Sequence, residues 1–222
     1  MGVVKIIEIY NESCLDTLAR LKDSSIDCIL TDPPYLINYR SNRRKNKFNK
    51  IKNDDFDDGL FDNFCKESFR VLKNNKSIYI FCSWHNIDFF KGIVSRYFTI
   101  KNIIIWVKNN HGTGDLLAQY APRYEMIIYA NKGRCPLIGG RSDDVVFFDK
   151  VPGKCMKHPT EKPVNLLEFL IKKSTKEGDI VYDGFMGVGP TMVACMNNDR
   201  GFIGSEIDNN FFNYCKILLG GK

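Results

Sequence analysis

Residues 179–190 read Asp179-Ile180-Val181-Tyr182-Asp183-Gly184-Phe185-Met186-Gly187-Val188-Gly189-Pro190. Ile180, Val181 and Tyr182 favour a strand. The glycines that follow let the backbone turn sharply and approach a ligand closely. Pro190 suits the first position of a helix, where its missing N–H costs nothing. A strand running through a glycine turn into a helix is the layout of a nucleotide-type cofactor site in a parallel α/β fold. About twenty residues beyond the turn, after a strand expected at Gly201–Gly204, stands Glu206, where such folds hold ribose hydroxyls. The plainer alternative is a tight strand–helix turn with glycines for packing and Glu206 as a solvated acid.

The turn does not read G-x-G-x-x-G, which argues against a dinucleotide, and no Gly-Lys-Ser/Thr follows to hold a pyrophosphate. An adenosine without phosphates fits better, and S-adenosylmethionine is the common case. Far upstream, Asp32-Pro33-Pro34-Tyr35 closes a short apolar run, Ile26 to Leu30, that reads as a buried strand. Its parts suit a planar amine. A carboxylate and a backbone carbonyl accept hydrogen bonds from an NH2 group. The prolines stiffen the turn, and the Tyr35 ring can stack on a flat heterocycle.

The rest of the chain alternates strands and helices. A β-like run at Val3–Ile9 precedes a helix with Ser13 as N-cap and Leu15, Leu18 and Leu21 at helical spacing. Helices are expected at Leu60–Leu72, Ile87–Tyr97, Val164–Ile171, Pro190–Met196 and Asn210–Leu219. Further strands are expected at Ser77–Cys82, Lys101–Lys108, Tyr124–Ala130 and Asp179–Tyr182. This order predicts an α/β layer with a parallel sheet. Leu36 to Gly59 interrupts it with a polar loop that holds Arg40, Arg43, Arg44 and Lys45, followed by aspartates. A connection this long is either functional or a solvated linker. Asn131 to Lys157 is turn-rich around one apolar run, Val145–Phe148.

At 222 residues, 44% hydrophobic and 26% charged, the chain is sized for one soluble domain with a proper core. A net charge of +6 permits a polyanionic partner without requiring one. The 8 cysteines form no CxxC pair and read as reduced, mostly buried thiols of a cytoplasmic protein. A metal held by Cys135, Cys155, His158 and His111 matches no standard spacing, so no metal is expected. No signal peptide and no membrane-length apolar run is recognisable.

A third stretch, His158-Pro159-Thr160-Glu161-Lys162-Pro163, stands between the two sites. With Asp-Pro-Pro-Tyr first and the His-Pro-Thr-x-Lys-Pro and Asp-x-Phe-x-Gly-x-Gly stretches last, the chain resembles the amino-group DNA methyltransferases of the permuted, beta-type order. Phe81-Cys82-Ser83, Trp106-Val107-Lys108-Asn109-Asn110 and Arg123-Tyr124-Glu125 extend the resemblance over nearly the whole chain. It implies a Rossmann-like S-adenosylmethionine-dependent methyltransferase fold, with a mostly parallel seven-stranded sheet and helices on both faces. It implies one domain over residues 1–222, with a basic loop at 36–59 and a target-recognition region at about 109–157.

The same resemblance assigns roles. Asp32, Pro33, Pro34 and Tyr35 hold a flipped base. Asp183, Phe185, Gly187 and Gly189 border S-adenosylmethionine, with S-adenosylhomocysteine as product. Glu206 takes the ribose with Ile207 beside it, and His158, Thr160 and Lys162 close the site. Arg40, Arg43, Arg44, Lys45, Lys108 and Arg123 are the DNA-facing candidates; Arg123 could equally pair near Glu125. DNA is the implied partner. A homodimer and a companion restriction endonuclease acting on the same site are compatible with it.

The first-position Asp32 favours adenine N6 as acceptor over the cytosine N4 of related enzymes, which more often begin with Ser. A protein-glutamine or RNA methyltransferase is disfavoured by motif order, and a non-catalytic cofactor-binding DNA-recognition protein by the intact Asp32 and Tyr35. Gly184 stands where the family often has Pro, Val188 and Pro190 replace its Ser and Thr, and Ser13 stands in place of an Asp near the cofactor's adenine.

Overall fold

The computed structural model describes residues 6–34, 58–112, 115–152 and 161–220. In chain order they form β1 (Ile7–Tyr10), α1 (Cys14–Arg20), β2 (Ile26–Thr31), α2 (Asp58–Val71), β3 (Leu72–Cys82), α3 (Ile87–Tyr97) and β4 (Thr99–Val107). There follow β5 (Tyr124–Lys132), β6 (Val145–Phe147), α4 (Val164–Ser174), β7 (Ile180–Asp183), α5 (Pro190–Asn197), β8 (Gly201–Ser205) and α6 (Asn209–Gly220).

The strands make one eight-stranded sheet in the order β1-β8-β7-β2-β3-β5-β4-β6. All pairings are parallel except those of β5, which runs against both β3 and β4. The sheet is thus mostly parallel, as expected, but has one strand more than the seven anticipated. The extra strand is β6, whose three residues pair with β4 at the edge. So short a run, set among turn residues, gave too little period to be read as a strand.

All six residues of β2 are buried, as befits a parallel strand with helices over both faces. Alternation sorts its side chains. Ile29 faces a core built with Leu18, Phe64, Phe90 and Val94 from α1, α2 and α3. Cys28 and Leu30 face the opposite core, with Leu166, Leu170, Met192 and Cys215 from α4, α5 and α6. Each large side chain so buried contributes about 1.5–3 kcal/mol, against ~0–1 kcal/mol for an exposed ion pair. The two apolar layers therefore hold the sheet. The described cysteines are free thiols, and all but Cys135 are buried.

The end of the sheet where β2 begins carries a polar clip. Asp27 is 4% exposed; its Oδ2 accepts from Lys73 Nζ at 2.7 Å and from the Ile180 N–H at 3.1 Å. Lys76 Nζ lies 3.0 Å from its Oδ1. One carboxylate thus ties β2 to β3 and β7. Burial pushes its pKa up, but the Lys73, Ile180 and Lys76 donors outweigh that and hold it below the usual range. Among the described residues no helix is long and apolar enough to cross a membrane.

From β2 the chain crosses to β3 on one side, and from β7 to β8 on the other. A crevice opens at such a switch point, beyond the carboxyl ends of the two strands. Asp27→Ala, at the opposite end, removes the clip and should lower stability by about 1–3 kcal/mol. Urea unfolding measures it, and an unchanged midpoint would show that the clip holds nothing.

Candidate active site

β2 and β7 pair in parallel with Ile29 opposite Tyr182, so Thr31 and Asp183 finish side by side. Thr31 Oγ1 donates to Asp183 Oδ1 at 2.7 Å, and both residues are buried. The Phe185 N–H donates to the same oxygen at 3.1 Å. Burial pushes the Asp183 carboxyl up to about 6. Bonds from Thr191, Thr31 and Phe185 work against the rise, and the Asp32 charge adds to it.

The glycine turn begins where β7 ends. Gly187 and Gly189 have φ of +54° and +81°, the left-handed region that favours glycine. A Cβ on Gly189 would also stand 3.0 Å from Cys215 Sγ, whereas one on Gly187 would meet nothing within 4 Å. Glu206, just past β8, pins the turn from the neighbouring strand. Its Oε2 accepts from the Gly187 N–H at 2.9 Å and its Oε1 from the Asp208 N–H at 2.7 Å. Burial raises the Glu206 pKa despite those bonds.

Across the crevice four charged side chains alternate in sign. Lys162 Nζ donates to Asp32 Oδ2 at 2.5 Å and lies 3.3 Å from Glu125 Oε2. Lys108 Nζ donates to Glu125 Oε1 at 2.6 Å. The members come from the exit of β2, the approach to α4, the start of β5 and the end of β4. The Lys162 side chain is 4% exposed, with its ammonium 5.1 Å from the centre of the Phe81 ring. Burial works against the charge on Lys162, but Asp32 and Glu125 outweigh it and raise its pKa. For Glu125, burial pushes up, and Lys162 with Lys108 more than reverses that, holding it well below the usual carboxylate range.

The N6/N4 DNA methylase family model matches residues 26–138 and 140–217. The chain belongs to this DNA methylase family. It is 32% identical over 243 residues to Type II methyltransferase M2.MboI of Moraxella bovis, covering 96% of this chain and 87% of that protein. It is 32% identical over 236 residues to DNA adenine methyltransferase YhdJ of Escherichia coli strain K12, covering 88% of this chain and 78% of that one. Among solved structures, the M1.HpyAVI–SAM complex superposes with a TM-score of 0.70 at 28% identity, covering 95% of this chain and 98% of that chain.

Within this DNA methylase the residues singled out from sequence fall into groups. Asp32, Pro33 and Pro34 leave β2 at the crevice; Asp183, Phe185, Gly187, Gly189 and Glu206 lie at the adjoining β7 and β8 ends. Ile207 follows Glu206 and is 42% exposed. Lys162 sits with Asp32, and Lys108 joins the same charge chain through Glu125. Arg123 is exposed, and its Nε donates to the Lys108 carbonyl at 2.9 Å. Tyr35, Arg40, Arg43, Arg44, Lys45, His158 and Thr160 lie outside the described residues, as does Cys155. Among the described residues no group of His, Cys, Asp and Glu is placed to hold a metal ion.

Two departures from the family pattern acquire physical reasons. Ser13 caps α1, its Oγ accepting from the Leu15 N–H at 3.3 Å. At Gly184 a Cβ would stand 2.7 Å from the Phe64 ring and 3.1 Å from Cys14 Cβ, so α1 and α2 leave no room for a side chain. Phe185 packs on that same ring at 5.2 Å between centroids. Sequence reasoning gave no role to Thr31 or Glu125. The signal for Glu125 was present: an acid opening an otherwise apolar strand, opposite Trp106 in register and close to Lys108.

The crevice fits an adenosine-type sulfonium cofactor. Space is open at Gly187, and the carboxyls of Asp183 and Glu206 stand at adjacent strand tips. Asp183→Asn tests the electrostatics of this wall. Folding raises the Asp183 pKa to about 6, from about 3.9 in the unfolded chain. Folding therefore favours the protonated acid, and the stability from this group is full below about pH 4 and lost as pH rises through about 6. Asn does not titrate. The variant's stability relative to wild type should rise across that window in urea unfolding; a flat difference would mean that folding leaves the Asp183 pKa unshifted.

Proposed function

We propose that this DNA methylase methylates the exocyclic N6 amine of adenine, extruded from duplex DNA into the β2–β7 crevice. The chain is an S-adenosylmethionine-dependent DNA methyltransferase; the acceptor atom is the part proposed. One observation carries it: the Asp32 carboxylate, beside two prolines, is held by Lys162 at the mouth of the crevice whose other wall is the glycine turn. The name of YhdJ, a DNA adenine methyltransferase, supports the choice of base, as does Asp rather than Ser at position 32.

The N6 lone pair of adenine is delocalised into the ring, so the amine is a poor nucleophile. Asp32 and the Pro33 carbonyl would accept its two N–H bonds and turn the lone pair toward the donor. S-adenosylmethionine, when bound, supplies an activated methyl group. The chain's own contribution is positioning and fixed dipoles. Asp183 and Glu206, with Gly187 and Gly189, would hold the cofactor; Glu206 is suited to the ribose, because two backbone N–H groups fix its carboxylate and each oxygen keeps a further lone pair for a hydroxyl. His158 and Thr160 would close this side. Extruding the base costs a few kcal/mol, part of which Tyr35 would offset by stacking.

In this reading residues 1–222 act as one cytoplasmic domain. Residues 36–59 form a basic arm on DNA phosphate, and about 109–157 carry target recognition, with Arg123 and Lys108 at its base. A second copy of the chain and a companion endonuclease are the accompanying partners proposed.

Labelled methyl transfer to DNA followed by nucleoside analysis should give N6-methyladenine, and Asp32→Ala should abolish it while still binding DNA and cofactor. N4-methylcytosine would move the acceptor to cytosine, and near-full activity of the variant would remove Asp32 from the site. Neutralising Arg43, Arg44 and Lys45 together should flatten the slope of log K against log salt for DNA binding, by about 0.9 for each phosphate left without its cation. An unaltered slope would return the loop to a linker.

A further inference from the structure

Lys162 lies in the stretch expected to close the cofactor side, yet its ammonium is bonded to the residue expected to hold the target amine. We propose that Lys162 is a positioning residue for Asp32, fixing its carboxylate as an ionised acceptor in one orientation, with Glu125 and Lys108 anchoring the ammonium in turn. The inference rests on the methyltransferase reading above and assigns a residue to the acceptor half of its site.

Three features of the geometry converge. Lys162 is almost wholly buried, and an ammonium so placed is stable only if paired. Its partners come from two different strand ends, Asp32 at 2.5 Å and Glu125 at 3.3 Å, so it bridges the acceptor corner to the antiparallel strand β5. Glu125 in turn is held by Lys108 at 2.6 Å, so the chain of four charges sums to zero and each member is flanked by opposite sign. The ammonium also lies 5.1 Å from the Phe81 ring centre, which adds a cation–π contact and restricts its position.

The consequence for Asp32 follows from Coulomb attraction. An ammonium in direct contact favours the charged carboxylate. The ionised Asp32 then accepts hydrogen bonds from the N–H groups of an amine. Three other described titratable groups near it act differently. Asp183, on β7, is raised by burial to about 6 and disfavours a second negative charge nearby when ionised. Cys82, at the end of β3, is pushed up to about 12 by burial and stays a neutral thiol. Glu125 carries a charge of the same sign as Asp32, which Lys162 and Lys108 offset. Among the described residues, Lys162 is thus a positive group in direct contact with Asp32.

Lys162→Ala and Lys162→Arg test this in the full chain. In Lys162→Ala, the single-turnover rate at saturating cofactor and DNA should fall roughly a hundredfold, the scale of a misplaced positioning group. Its acid limb should move to higher pH. S-adenosylmethionine affinity, read by calorimetry, should be unchanged, and added ethylammonium should restore part of the rate. Lys162→Arg, which keeps the charge, should hold the wild-type acid limb. The proposal is overturned if Lys162→Ala loses cofactor affinity while its saturating rate and acid limb stay at wild type, since Lys162 would then serve the cofactor. If the alanine variant does not fold, the arginine variant decides: a wild-type acid limb with intact cofactor affinity supports the assignment, and weakened cofactor binding overturns it. Absence of methyl transfer by the wild-type protein would instead remove the underlying reading.

Discussion

The pairing of β2 with β7 is the constraint on which the site depends. These strands are separated by most of the chain, and Thr31 and Asp183, which close the pair, are 152 residues apart. Their register sets Ile29 against Tyr182, and a slip of one residue would turn every side chain to the wrong face. It would also carry Asp32 away from the glycine turn. The apolar layers on either side fix that register, since Ile29 and Leu30 belong to different cores. The chemistry at the strand ends is therefore positioned by hydrophobic packing below it.

The two walls of the crevice treat charge in opposite ways. Asp183 is held by hydroxyl and amide donors, and burial leaves it reluctant to ionise. Glu206 is likewise raised, with backbone donors for partners. Across the gap Lys162 and Lys108 keep Glu125 charged, and Lys162 is in contact with Asp32. One wall has acceptors ready for neutral or cationic donors, while the other carries paired charges of alternating sign. A positively charged sulfonium suits the first, and a neutral amine suits the second.

Much of this was legible in the residues because it is local. Strand, turn and helix around Asp183 follow from β-branched residues, glycines and Pro190, and α3 runs from Ile87 to Tyr97 as its spacing suggests. The two corners announce themselves as short motifs. What stayed hidden is non-local. The Lys162–Asp32 contact spans 130 residues, and nothing in the stretch around Lys162 says which wall it joins. Glu125 gains its role only from a strand that runs against its neighbours. β6 is too short to show a period, and the crowding that demands Gly184 comes from Phe64 and Cys14, on two other helices.

The strand order also has a temporal meaning. β1 and β2 are consecutive in the chain but never touch; the space between them is filled by β8 and β7, the last two strands to be made. A nascent chain that has reached β6 therefore carries two unsatisfied strand edges and no cofactor turn. Such non-local closure is slow and leaves edges exposed to other chains. Synthesis must be nearly finished before the crevice exists, so a prematurely ended polypeptide of this kind is inert and prone to aggregate, never a partly working enzyme.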